Sequence, residues 1–186
     1  MAPVRAAIIG TGNIAKAHVR ALKEQGDRVQ LAAAADLDGE RLKTFCETHG
    51  IPRSYTDAAE MLRDQRPGLV TIATPPRAHC ELIVSSLEAG AWVLCEKPLV
   101  GSLAEMDRVE EAERKSGCYC NTVFQWRSAS SAQHLKALMA EGALGRPLVG
   151  VCHTLWYRTP AYYALPWRAQ WQGALGGTTM VHGIHA

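Results

Sequence analysis

The sequence predicts a doubly wound α/β domain on a parallel sheet, followed by the incomplete start of a second domain. Three observations predict it. Apolar runs of strand length take turns with segments of helical spacing, the links between them are short, and a glycine turn follows the first run directly. Uninterrupted apolar runs suit strands buried on both faces, and strand–helix alternation implies crossover connections in a parallel sheet.

Each element follows from its residues. Residues 4–9 form an apolar run that ends at Gly10-Thr11-Gly12. Residues 14–25 carry Ile14, Ala17, Ala21 and Leu22 at helical spacing, and Gly26 breaks the pattern. Residues 29–35 are a second buried strand, with Asp36 standing where it stops. Asp38 is a cap for a helix whose inward positions are Leu42, Phe45 and Cys46. Thr56 or Asp57 starts a short helix through Met61 and Leu62, residues 69–73 are a strand, and Pro75-Pro76 forces a turn. A helix over 77–89 buries Leu82, Ile83 and Leu87 and stops at Gly90. Residues 92–95 are a strand, Ser102 caps a helix to about Lys115, and residues 118–123 are the last strand of the first domain.

The character changes near residue 123. Eight of the twelve aromatic residues lie between Phe124 and Trp171, so the two parts are built from different materials. A helix over 131–139, a strand over 147–157 and a glycine-rich segment over 173–177 are expected there. That is too little to close a core. The expected organisation is a finished domain over 1–122 and a partial one over 123–186.

Composition excludes several classes. The 186 residues are 47% hydrophobic and 20% charged, the mix of a globular protein rather than a disordered one. A net charge of +2 with no basic cluster predicts no nucleic-acid or acidic-membrane partner. No apolar run approaches the ~20 residues that span a bilayer. The N-terminus enters a strand within three residues, which leaves no room for a signal peptide and predicts a cytoplasmic protein. Six cysteines without CxxC or zinc spacing read as reduced packing residues.

The chemistry concentrates where strands end. Gly10-Thr11-Gly12-Asn13-Ile14-Ala15 fits G-x-G-x-x-G/A between a strand and a helix. The first glycine permits a tight turn, the second lets backbone approach a diphosphate, and the small third residue brings helix to sheet. Helix N–H groups and the helix dipole favour the phosphates. Asp36, 21 residues after Ala15, is placed to accept both hydroxyls of an adenosine ribose. A carboxylate there repels a 2′-phosphate, so NAD is favoured over NADP; Arg41 is the residue that could overturn this. Thr74, Pro75 and His79 lie in the turn after a later strand, again on the ligand-binding edge. Lys97, between Glu96 and Pro98 at another strand end, has three jobs open to it: salt bridge, substrate clamp or proton shuttle.

These motifs together resemble the glucose–fructose oxidoreductase and inositol dehydrogenase (Gfo/Idh/MocA) family: the glycine turn, Asp36, Ala73-Thr74-Pro75-Pro76 with His79, and Glu96-Lys97-Pro98-Leu99, in that order. The resemblance continues through Phe124-Gln125-Trp126-Arg127, Trp167-Arg168 and Gly176-Gly177 to His185. It implies an NAD(P)-binding Rossmann domain over 1–122 followed by a partial substrate or oligomerisation domain over 123–186, the incomplete start of an α/β domain with a large, mostly antiparallel sheet. It also implies NAD(P)-dependent hydride transfer to or from a sugar, cyclitol or related polyol, in proteins that are often homo-oligomers. By the same resemblance Lys97 binds the reacting hydroxyl and nicotinamide region beside a cis peptide, and His185 is the general acid/base. Gln125 and Arg168 line the nicotinamide and substrate side.

Two departures stand out. His182 takes the place of the family's aspartate three residues before the histidine, which puts His182 and His185 on one helix face. Metal binding by this pair is the sharper alternative to a catalytic role for both, but no third ligand beyond a guess at His153 presents itself, and no metal site is expected. The chain also ends one residue after His185, which reads as a truncated form. Three readings compete: an NAD-dependent oxidoreductase, a dinucleotide-binding module without turnover, and a fragment that needs a partner. The aromatic stretch 156–171 either stacks a sugar ring or packs a core.

Overall fold

The computed structural model describes residues 2–185, which divide into two compact units at Thr122/Val123.

The first unit is a six-stranded sheet of β1 (Val4–Ile9), β2 (Val29–Ala35), β3 (Arg53–Tyr55), β4 (Leu69–Ile72), β5 (Trp92–Cys95) and β6 (Cys120–Thr122). The spatial order is β3-β2-β1-β4-β5-β6, with every neighbouring pair parallel. Five helices connect them: α1 (Ala15–Lys23), α2 (Gly39–His49), α3 (Ala58–Gln65), α4 (His79–Glu88) and α5 (Leu103–Ser116). Strand order reverses between β1 and β4. In open α/β sheets the ligand crevice lies outside the carboxyl ends of the strands at that switch.

Side chains alternate across the pleat, so one strand feeds two cores. Ala7, Ile9, Ala33 and Ala35 join Met61, Ile83, Leu87 and Val109 on the face covered by α3, α4 and α5. Ile8 and Ala34 join Val19, Leu42 and Phe45 on the face covered by α1 and α2. Local chemistry fixes the helix starts. Asp38 accepts from the N–H of Arg41, Asp57 from those of Ala59 and Glu60, and Ser102 from that of Glu105. Gly50 and Gly117 end α2 and α5 in the left-handed conformation.

The structure corrects several expectations. The short edge strand β3 is added beside β2. α1 buries Ala15, His18, Val19 and Leu22, whereas Ile14, Ala17 and Ala21 face outward. The inward stripe is therefore rotated one position and takes in a histidine. Leu82 is half-buried against the core rather than enclosed by it. Four cysteines (Cys46, Cys80, Cys95 and Cys118) pack in the interior as thiols, but Cys152 is exposed.

The second unit holds α6 (Ser130–Ala140) and four short helices, α7 (Pro160–Tyr163), α8 (Pro166–Ala169), α9 (Trp171–Ala174) and α10 (Gly177–Val181). The strand expected over 147–157 does not form. Leu148 and Val149 are more than 80% exposed, and no strand pairs with the segment among the described residues. An apolar run becomes a strand only when a second strand satisfies its ladder. Among the described residues no helix is long and apolar enough to cross a membrane.

Candidate functional site

Register brings the first unit's candidates to one edge. Ile9 pairs with Ala35 and Ile72, and Ile72 pairs with Cys95. Gly10, Asp36, Ala73 and Glu96, the first residues past these four strand ends, therefore stand side by side.

Gly10 closes the turn. Its φ is +92°, and a Cβ there would stand 2.8 Å from the backbone of Ala73, so only glycine fits between β1 and the end of β4. Gly12 is different: a Cβ on it would meet nothing within 4 Å. The protein's own packing does not demand glycine at 12, whereas a ligand seated on the turn would. α1 has no side-chain cap and no acid in its first turn, unlike α2, α3 and α5. The N–H groups of Gly12, Asn13 and Ile14 meet no acceptor among the described residues. An open turn with bare amides at a helix start fits a dinucleotide's diphosphate. Thr74 adds a buried hydroxyl without a hydrogen-bond partner beside Pro75, on the same edge.

Asp36 is held from both sides. Its Oδ2 accepts from the N–H and the hydroxyl of Thr11, each at 2.7 Å. Its Oδ1 accepts from the N–H of Asp38 at 3.0 Å and from Arg41 Nη2 at 2.6 Å. Burial pushes the carboxyl up, but the Asp38 amide, the Thr11 hydroxyl, Arg41 and the Thr11 amide together hold it below the ordinary aspartate value. Asp36 is thus a fixed negative charge next to the turn.

At the end of β5 the peptide between Lys97 and Pro98 is cis. Glu96 is buried, and its Oε1 lies 3.1 Å from Nε2 of the buried His18. The carboxylate can only accept, so the His18 nitrogen carries the hydrogen. Glu96 Oε2 also accepts from the backbone N–H of Lys97 at 3.3 Å. The pair ties α1 to the loop that carries Lys97. His79 ties a second place: it is wholly buried, with Nδ1 2.8 Å from the Pro98 carbonyl and Nε2 3.0 Å from that of Thr74. His79 acts on the site through the two loops it joins. Thr11 lies inside the glycine motif, whereas His18 escapes a motif reading. The signal for His18 was its position three residues after Ala15 and four before Leu22, on the true inward stripe of α1.

In the second unit, His182, His185 and Arg168 gather among aromatic rings. The Tyr162 hydroxyl lies 3.4 Å from His182 Nε2, and Trp156 stacks edgewise on His182 with ring centroids 5.3 Å apart. His185 lies edgewise to Phe124 and Trp126. Arg168 sits 3.9 Å over the Tyr162 ring, a cation–π contact. A small cavity of about 80 Å³ is lined by Tyr162, Trp167, Arg168 and His182 among others. Gln125 is exposed at the start of a 3₁₀ turn (Gln125–Ser128). Among the described residues no group of three metal-ligating side chains is placed to hold a metal ion.

Comparison with known proteins agrees with this geometry. Residues 4–124 match the family described as "Oxidoreductase family, NAD-binding Rossmann fold", and residues 132–186 match its "GFO/IDH/MocA C-terminal domain". The chain is similar to the myo-inositol 2-dehydrogenase of Thermotoga maritima, 32% identical over 78% of this chain and 43% of that one. It is also similar to the 1,5-anhydro-D-fructose reductase of Ensifer adhaerens, 28% identical over 96% of this chain and 53% of that one. The crystal structure of the WlbA dehydrogenase from Bordetella pertussis, in complex with NADH and UDP-GlcNAcA, superposes with a TM-score of 0.89 at 27% identity, covering 98% of this chain and 56% of that one. The chain thus spans about half the length of the curated relatives it matches. The chain therefore belongs to the GFO/IDH/MocA oxidoreductase family, its first unit being that family's NAD-binding Rossmann fold.

Proposed function

We propose that the chain works as an NAD-dependent oxidoreductase on a CH–OH group of a sugar, cyclitol or related polyol. The observation that carries this is the open turn at residues 10–15 with Asp36 beside it. NAD, when bound, supplies the hydride acceptor at its nicotinamide. The chain's own residues do the rest. The bare amides at the start of α1 hold the diphosphate, and Asp36 offers a carboxylate to the adenosine ribose. Lys97, on a loop braced by His18, Glu96 and His79, binds the reacting hydroxyl. His185 takes or returns the hydroxyl proton at its ring nitrogen, and His182, Gln125 and Arg168 serve the substrate and nicotinamide side. The relatives' names support the substrate class: an inositol and an anhydrosugar, with a nucleotide sugar bound in the structural neighbour.

The test has two parts. Calorimetry should show NAD binding that Gly12→Val weakens at least about ten-fold, since a side chain then fills the diphosphate's space. Supplied with NAD and a panel of inositols, sugars and UDP-sugars, the chain should give NADH absorbance that Lys97→Ala abolishes. Absence of NAD binding by the folded chain sinks the proposal. NAD binding without turnover favours a second reading, a dinucleotide-holding module. That reading draws on the contrast between a first unit with a closed core and a second in which, among the described residues, Ala174 is the one buried apolar side chain.

A further inference from the structure

The second unit is one-sided in charge. Residues 142–186 include Arg146, Arg158 and Arg168, with His153, His182 and His185, and no aspartate or glutamate. Two of these arginines converge on one ring. The guanidinium carbon of Arg168 lies 3.9 Å from the Tyr162 ring centroid, and that of Arg158 lies 4.9 Å from it. Arg158 also lies over Trp156, and Arg168 over Trp167. The Nε of each arginine is buried without a hydrogen-bond partner. Among the described residues no carboxylate pairs with either guanidinium.

Rings alone do not satisfy two such cations. A half-buried guanidinium without a counter-ion loses hydration that a neutral ring offsets only in part. Two of them held at one ring also repel each other. An oxyanion removes both costs, because the planar guanidinium presents paired N–H donors that match a carboxylate or a phosphate. The cavity beside Tyr162 has the scale for such a group. It measures about 80 Å³ and is lined by Tyr162, Trp167, Arg168 and His182 among others. Sites that enclose a whole small molecule begin at roughly 300 Å³, so this one suits a single substituent rather than a sugar ring. The Tyr162 hydroxyl, 3.4 Å from His182 Nε2, adds a polar group to the same wall.

We propose that the substrate carries an oxyanion, a carboxylate or a phosphoryl group, and that Arg158 and Arg168 bind it. Tyr162 is the platform that holds the two guanidiniums in place before the anion arrives. A neutral sugar or cyclitol leaves both cations unpaired and binds less tightly. This rests on the sugar-or-polyol reading above and narrows it to acidic members of that class, a uronic acid or a sugar phosphate.

Calorimetry on the full chain with NAD present, against D-glucose, D-glucuronate and D-glucose 6-phosphate, tests it. One of the two acids should bind at least about ten-fold tighter than glucose, and which one does so separates carboxylate from phosphate. Arg158→Gln and Arg168→Gln should each bring that ratio close to one. Arg158→Lys and Arg168→Lys keep the charge but lose the fork, so their ratios should fall between. Tryptophan emission checks the fold of each variant, because four of the five tryptophans lie in the second unit. The Lys variants keep a cation on the ring and carry the test where a Gln variant unfolds. Glucose binding as tightly as both acids overturns the inference. Variants that weaken acidic and neutral probes alike overturn it too, and make the arginines props for the aromatic cluster. NAD binding with no probe bound leaves the dinucleotide-holding module standing and ends this inference. A folded wild type that binds no NAD sinks the cofactor reading, and the same ratio measured without NAD then decides this inference by itself.

Discussion

The two units are held together by different physics. Among the described residues every buried apolar one except Ala174 belongs to the first unit, where a parallel sheet is sealed by helices on both faces. The second is joined by rings and half-buried cations: Trp126 on Trp156, Arg158 over Tyr162, Arg168 over Tyr162 and Trp167. Burial of apolar area contributes about 25 cal/mol per Å², whereas a cation–π contact contributes about 0.5–2 kcal/mol. The first unit carries its own stability. The second is a set of short helices with little core beneath them, and four of the candidate residues, Gln125, Arg168, His182 and His185, stand on it.

Side-chain chemistry lets the two units be read separately. Five of the six cysteines lie in the first unit and four of the five tryptophans in the second. Thiol labelling should therefore modify exposed Cys152 at once. Burial pushes the Cys46, Cys80, Cys95 and Cys120 thiols up, Cys120 to about 12 with the help of Glu113. In Cys152→Ser the remaining thiols should label slower by a factor on the order of 10³ or more, set by the unfolded fraction of the first unit. Tryptophan emission should shift at lower denaturant than the thiols become reactive. Coincident transitions would show one cooperative unit and erase the distinction.

A second effect is confined to the first unit. Gly10→Ala puts a Cβ 2.8 Å from the Ala73 backbone at a φ of +92°, and neither obstacle is a flexible side chain. The loss should be about 3 kcal/mol or more. Gly12→Ala, two residues on, meets open space and should leave folding nearly unchanged. Denaturant midpoints of the two variants decide it, and equal losses would mean that the turn is not shaped by that close approach.

The same contrast explains what was legible in the sequence. Strands β1, β2, β4 and β5, the caps Asp38, Asp57 and Ser102, and the edge positions of Gly10, Asp36 and Lys97 rest on local rules: apolar runs, turn residues and helix starts. Partners were not legible. His18 and Glu96 lie 78 residues apart, and nothing local in either says that they meet. Arg41 was visible as a cation near Asp36, but its grip on both Asp36 and Asp38 depends on how α2 leaves the sheet. The segment over 147–157 has a strand's composition and no strand beside it, because pairing is a property of two segments.

The His18–Glu96 pair gives a smaller, local effect. Glu96→Ala removes the acceptor of a buried ring N–H and of the Lys97 amide together. It should cost about 1–3 kcal/mol of first-unit stability, the penalty for buried groups left unsatisfied. His18→Ala should cost less in the Glu96→Ala background than alone, because the two share one interaction. Strict additivity in that double-mutant cycle would mean that the two side chains do not support each other.

The smallest effect concerns Asp36 and acid. Its folded-state value lies below the ordinary 3.8, so between the two the unfolded chain binds more protons and stability rises with pH. The contribution is fully present above the ordinary value and is lost as pH falls through the folded one. Asp36→Asn cannot titrate. The wild type's advantage over this variant, about 1 kcal/mol by the usual worth of hydrogen bonds to a charged group, should be constant near neutrality and shrink below about pH 4. Other carboxylates titrate in both proteins and cancel in the difference. Because Asp36 lies wholly within the first unit, the thiol transition should report the change and the tryptophan transition should not. A difference that grows as the solution is acidified would mean that the four donors around Asp36 do not favour its charged form.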